Sequence, residues 1–180
     1  TYRKFIMAKL NEVKDFWEKA SCGEIYATGS DWKEMYDAQK VSRYQLEPYV
    51  CDFAKFDESN DKDILEIGVG MGADHEEYAR ALPKSLHGID LTDKSIEHCK
   101  KRFEILGLQS NLAKGNVEAM TFDNKSFDIV YSCGVIHHSP NTNRAVNEIY
   151  RVLREDGVAR VMIYHRYSPV GFLLWTRYAL

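Results

Sequence analysis

Residues 64–79 read "ILEIGVGMGADHEEYA": an apolar run halts at Gly68, Gly70 and Gly72, then resumes with the composition of a helix. Glycine adopts backbone angles closed to other residues and has no side chain to hold a ligand away. A strand, a glycine turn and a helix in this order bring backbone close to a bound molecule. The fold and the function both hang on what surrounds this turn.

Downstream, short β-rich runs alternate with helical ones: "LHGIDL", "SIEHCKKRFEILG", "NLAKGNV", "SFDIVYSCG", "TNRAVNEIYRVLR" and "GVARVMIYHR". Alternation of this kind implies a doubly wound α/β fold, Rossmann-like, with a mostly parallel sheet and helices on both faces. Ligands of such sheets sit beyond the carboxyl ends of the strands, where strand order reverses. That rule puts Gly68, Asp90, Asn116 and Cys133 on one rim. Upstream, "FIMAKLNEVKDFWEKA" and "DWKEMYDAQKVSRYQLEPYVCDFAKF" carry apolar residues at three- and four-residue spacings and read as helices. Pro48 starts or kinks one of them. Residues 1–58 are expected to form a helical lid, and residues 59–180 the α/β core.

The composition is that of a globular domain, 44% hydrophobic and 28% charged, with net charge −3 and no basic block to suit a nucleic acid. Four scattered cysteines with no CxxC pair point to a reducing, cytoplasmic setting. The apolar stretch "VGFLLWTRYAL" is too short to span a membrane and contains Arg177. Both ends of the chain look cut. The "KSIEHCKKR" run reads as a solvated basic helix face.

The glycine pattern fits GxGxG and also the dinucleotide pattern GxGxxG/A, with Ala73 last. Asp90, eighteen residues past Gly72, suits ribose hydroxyls in either case. Charge favours one cofactor. A diphosphate needs a free helix N-terminus, whereas Asp74 and Glu77 read as a capping box over those amides, and Asp74, Glu76 and Glu77 repel anions. No Lys or Arg lies in the turn, and Glu66 precedes it. A cationic ligand without phosphate, such as S-adenosylmethionine, fits better. A nicotinamide-dependent oxidoreductase remains the alternative enzyme, and a silent cofactor-binding regulatory or partner subunit the alternative outside enzymes.

From about residue 60 to 166 the chain resembles class I S-adenosylmethionine-dependent methyltransferases, in particular the small-molecule, quinone-biosynthesis-like "type 11" branch. The resemblance rests on "LEIGVGMG", "GIDLT", "GNVEAMTFDNKSFDIVYSCGVIHHSP" and "EIYRVLREDGVARVMIY", in this order. It implies that Gly68, Gly70 and Gly72 line the methionine and ribose, with Glu66 near the amino group through water. It further implies Asp90 on both ribose hydroxyls, Leu91 against the adenine, Asn116 and Val117 at the ring edge, and the Cys133 carbonyl near the methionine end. Many relatives have Asp-Ala where this chain has Asn116-Val117, and Asn still offers an acceptor. The product would be S-adenosylhomocysteine.

Methyl transfer from a sulfonium is an in-line displacement, so its rate comes mainly from holding the nucleophile near the methyl in a dry site. An oxygen or nitrogen acceptor also benefits from a base. "GVIHHSP" puts His138, and less favourably His137, at the rim. Cys133, His137 and His138 lack the spacing and the fourth ligand of a metal site, so no metal is expected. In this family the N-terminal helices close over the cofactor. Trp32, Tyr36, Arg43 and Tyr44 are therefore the substrate or lid candidates, against the plainer reading that the aromatics pack the helix down and Arg43 is solvated. The expected partner is a small-molecule acceptor. The resemblance implies a seven-stranded sheet, but the fourteen residues after "VARVMIYHR" are too few for a sixth and seventh strand, so five strands in the order 3-2-1-4-5 are expected, with the outer edge of the fifth unpaired. Continuation beyond Leu180 or a homo-oligomeric partner would cover that edge.

Overall fold

The first strand, β1 (Asp63–Ile67), is buried along its whole length, as a strand covered on both faces must be. Its side chains alternate between two cores. Ile64 packs with Tyr78, Ile96, Phe103 and Tyr131 on one face; Leu65 and Ile67 pack with Val130, Ala145, Ile149 and Val152 on the other. Each such side chain contributes roughly 1.5–3 kcal/mol by burial. The computed structural model describes residues 10–164.

The remaining strands are β2 (Ser85–Asp90), β3 (Asn111–Lys114), β4 (Phe127–Cys133) and β5 (Leu153–Met162). All pair in parallel, in the order β3-β2-β1-β4-β5. The expected fold and strand order are thus observed. The order reverses between β1 and β4. The sheet is crossed by α4 (Ala73–Arg80), α5 (Asp93–Leu106) and α6 (Thr142–Val152). Ahead of them lie α1 (Leu10–Lys19), α2 (Trp32–Leu46) and α3 (Val50–Ala54), with Pro48 between the last two. Among the described residues no helix is long and apolar enough to cross a membrane.

Two local readings are corrected. The fifth strand begins at Leu153, earlier than the run starting at Gly157, because Leu153 is already extended and pairs with Phe127. Arg154 is drawn into the strand by Asp63 and Asp128, at 2.8 and 2.7 Å. Among the described residues β5 pairs with β4 alone; the reading of "YSPVGFLLWTRYAL" lies outside the described residues.

The second correction concerns α5. Lys100 is exposed as expected, but Arg102 is completely buried. Its Nε donates to Glu76 Oε2 at 2.9 Å, Nη1 to Gln39 Oε1 and the Met71 carbonyl, and Nη2 to the Tyr36 carbonyl. One guanidinium therefore joins α2, the glycine turn, α4 and α5. A buried charge is stable only when paired and hydrogen-bonded, and here every edge of the fork is used.

Removing one member of a buried ion pair costs about 3–5 kcal/mol because the other charge is stranded. Arg102→Met is expected to lose that much in urea unfolding. An unchanged midpoint would contradict this account of α2 and α5.

Candidate active site

The three glycines do different work. All have positive φ: 83° at Gly68, 50° at Gly70 and 81° at Gly72. A Cβ at Gly68 would lie 2.3 Å from a Val135 methyl, and one at Gly72 2.7 Å from Cys99 Sγ, so these two let neighbouring elements close in. A Cβ at Gly70 would meet nothing within 4 Å. Gly70 faces open space, and that space is the site.

It is a cavity of about 470 Å³ at the carboxyl ends of the strands. Gly68, Gly70, Gly72, Glu66, Asp90, Leu91, Asn116, Val117, Cys133 and His138 all line it, as does Arg43 from α2. The fold thus brings together every residue expected at the cofactor. Tyr36, Tyr44 and His137 are not among the lining residues. Tyr36 is buried, stacks with Trp32 and bonds His98. Tyr44 donates to Asp74 Oδ1 at 3.2 Å. These two serve the packing of α2 rather than a lid face. Both ring nitrogens of His137 are buried without a hydrogen-bond partner, and loss of hydration pushes its pKa down to about 4.

Asp90 is held in position by three donors. Gly70 N–H reaches Oδ2 at 3.1 Å; Thr92 N–H and its hydroxyl reach Oδ1 at 3.0 and 2.8 Å. Oδ1 thus has both lone pairs engaged and Oδ2 has one free. A grip on two hydroxyls requires the Thr92 hydroxyl to turn away, whereas one hydroxyl fits Oδ2 directly. Asn116 Oδ1 accepts from Glu118 N–H at 2.9 Å, which fixes the orientation of its amide.

The expected capping box is absent. The N-cap of α4 is Gly72, with no side-chain cap. Asp74 turns instead to Arg43 Nη2 at 2.9 Å and accepts from the Tyr131 hydroxyl at 2.8 Å. Glu76 is buried against Arg102, Arg80 and Lys40, and Glu77 pairs with Lys40. The acidic turn is therefore largely neutralised, and no side chain caps its first amides. Charge repulsion no longer separates the two cofactor classes. Nor is Arg43 solvated: it is ion-paired with Asp74 and Glu47 and donates to Cys133 Sγ at 3.4 Å.

Two groups of lining residues escaped the sequence reading. Leu10, Val13 and Trp17 of α1 form an apolar wall; their i, i+3, i+7 spacing was the available signal. The Trp17 ring lies 5.3 Å from that of His138. Glu18 docks this helix by accepting from the Asp93 and Lys94 amides at the start of α5. Glu47, between α2 and α3, takes hydrogen bonds from Tyr49 and Tyr164, and nothing local marked it out. His138 is exposed at the cavity mouth, and partial loss of hydration lowers its pKa from the usual imidazole value.

Residues 65–161 match the family described as "Methyltransferase domain". The match spans more than half of the chain, which belongs to that family and to the class I S-adenosylmethionine-dependent methyltransferases. Over 97 residues the chain is 39% identical to a phthiotriol/phenolphthiotriol dimycocerosates methyltransferase of Mycobacterium leprae, covering 53% of this chain and 35% of that protein. Over 122 residues it is 30% identical to a fatty-acid O-methyltransferase of Mycolicibacterium smegmatis, covering 67% and 43%. These alignments span less than half the length of either relative. Among solved structures, the (4+2)-cyclase SpnF shares the fold with a TM-score of 0.68 at 15% identity, covering 91% of this chain and 65% of that one. The YcgJ protein of Bacillus subtilis does so at 0.62 and 24% identity, covering 69% and 54%.

The division of labour among the glycines is testable by thermal unfolding and ligand titration. Gly68→Ala should destabilise the fold, through its clash with Val135 and its left-handed φ. Gly70→Ala should cost only the roughly 1–2 kcal/mol of left-handed strain, remain folded, and lose ligand affinity. A Gly70→Ala protein that bound ligand normally would remove this turn from the site.

Proposed function

We propose that the protein binds S-adenosylmethionine in this cavity and transfers its methyl group to a small, largely apolar acceptor through an oxygen atom. The observation that carries the reading is the convergence on one cavity of open space at Gly70, the positioned Asp90 carboxylate, and Leu91, Asn116 and Val117. The residues fit the cofactor by their chemistry. Asp90 Oδ2 offers an acceptor for a ribose hydroxyl, Leu91 and Val117 an apolar surface for a flat base, and Asn116 a polar edge. Among the described lining residues Arg43 is the single Lys or Arg, set against Glu47, Glu66, Asp74 and Asp90. Arg43 is held by Asp74 and Glu47, so none of these described lining residues offers an unpaired Lys or Arg to a diphosphate.

When bound, S-adenosylmethionine supplies an activated methyl carbon. The chain's own residues orient, exclude water and move a proton. Leu10, Val13 and Trp17 give the cavity an apolar wall, and a site with less water strengthens the electrostatic contacts inside. His138 is neutral at pH 7 because its pKa is lowered, and in that state it is competent to take a proton from an acceptor hydroxyl. The apolar character of the acceptor is supported by the wall of α1, and the oxygen atom by the name of the fatty-acid O-methyltransferase relative alone.

Calorimetry with S-adenosylmethionine, S-adenosylhomocysteine and reduced nicotinamide dinucleotide tests the cofactor. The first two should bind and the third should not. Asp90→Ala should weaken both by roughly 1.5–3 kcal/mol; unchanged affinity would sink the assignment. With an acceptor in hand, His138→Ala should lower turnover about 10²–10⁴-fold while cofactor affinity stays put. A full-rate variant would leave proximity as the whole mechanism.

A further inference from the structure

Glu66 is an acid in the middle of a buried strand, flanked by Leu65 and Ile67, and its side chain is 4% exposed. Strand alternation sends it to the face occupied by α4, where His75 is wholly buried. His75 Nδ1 lies 2.8 Å from Glu66 Oε2, and Nε2 lies 2.7 Å from Ser110 Oγ. Room for this ring is built into β2: a Cβ at Gly88 would come within 2.8 Å of His75 Cε1.

Hydrogen-bond accounting fixes the protons. The Ser110 hydroxyl donates its single hydrogen to the Leu86 carbonyl at 3.0 Å, so Ser110 Oγ must accept from His75, and Nε2 carries a hydrogen. A neutral His75 then turns the lone pair of Nδ1 toward Glu66. With a deprotonated carboxylate opposite, two acceptors would face each other at 2.8 Å in a buried place. One proton must therefore sit between Oε2 and Nδ1. Burial holds the Glu66 pKa well above the usual carboxylate range, with the Asp74 charge adding to the shift, and burial pushes His75 down to about 3. In the free protein the proton belongs to Glu66, and the pair is neutral.

We propose that His75 is a positioning residue that stores the proton of Glu66. When a ligand ammonium reaches the cavity side of Glu66, the proton passes from Oε2 to Nδ1. The wall then presents a carboxylate without exchanging a proton with solvent. The inference rests on the cofactor reading above, with the amino group of the ligand turned toward Glu66. The other titratable groups facing the pair are Asp74 and Tyr78 from α4, Arg43 from α2, Asp90 and His87 from β2, Cys99 from α5 and Tyr131 from β4. Tyr78, Tyr131 and Cys99 are raised and His87 is lowered, so a proton moving near neutrality is not theirs.

Nitrogen-15 NMR of the histidine-labelled chain, titrated at pH 7 with S-adenosylhomocysteine, reads the transfer directly. His75 should be the neutral, Nε2-protonated form when free and the doubly protonated imidazolium when bound. In His75→Phe, Glu66 must give its proton to solvent. S-adenosylhomocysteine affinity should then rise about tenfold per pH unit up to the raised Glu66 pKa, and the Glu66→Gln/His75→Phe protein should lose that dependence. Binding with unchanged His75 nitrogens, or an imidazolium already present in the free protein, would overturn the proposal while leaving the cofactor reading intact. Absence of any S-adenosylhomocysteine binding would overturn the cofactor reading, and this proposal with it. The wild-type spectrum decides even if His75→Phe does not fold.

Discussion

The Arg102 guanidinium is the contact on which the rest of the architecture depends. It sits at zero exposure and bonds a carboxylate, a side-chain amide and two main-chain carbonyls on three other segments, α2, the glycine turn and α4. Desolvating such a group is costly, and only a planar fork of five donors can recover that cost in several directions at once. A lysine would satisfy fewer of these acceptors. Through the Met71 carbonyl the guanidinium reaches the glycine turn, and through Tyr36 and Gln39 it sets α2 above the cavity. The position of Arg43, carried on the same helix, follows from it.

A parallel sheet makes a crevice where strand order reverses, here between β1 and β4. The glycine turn converts that crevice into a cavity. Gly68 and Gly72 let Val135 and Cys99 close in, and Gly70 keeps the middle open. The polar groups around it are held before any ligand arrives: Asp90 by Thr92 and Gly70, Asp74 by Arg43 and two tyrosines, Glu66 by His75. Such preorganisation lowers what a ligand must offset on binding. It also explains how a cavity lined by four acidic side chains and one guanidinium is compatible with a stable fold.

The parallel sheet and the strand-end rim were legible in the sequence because they follow from local period and turn chemistry, whereas the strand order and residues such as Leu91 and Val117 came with the family resemblance. β1 reads as a buried strand, and the glycines follow it at the strand-end rim, where a ligand of such a sheet sits. What was not legible depends on partners distant in sequence. Arg102 looked like its neighbours Lys100 and Lys101, since nothing local reveals that α2 covers it. Asp74 had the spacing of a cap but found Arg43 and Tyr131 instead. Tyr36 and Tyr44 lie on a helix predicted correctly, yet which face meets the cavity depends on how that helix docks. His75 carried no signal at all until Glu66, Ser110 and Gly88 were seen around it.

The central claim is that the Gly70 cavity is the cofactor site, and a crystal structure with S-adenosylhomocysteine tests it most directly. The account predicts the nucleoside between Leu91 and Val117, with a ribose hydroxyl on Asp90 Oδ2 and the amino-acid end toward Glu66 and Gly68. Density for the ligand outside this cavity, or a nucleoside that leaves Asp90 untouched, would contradict it.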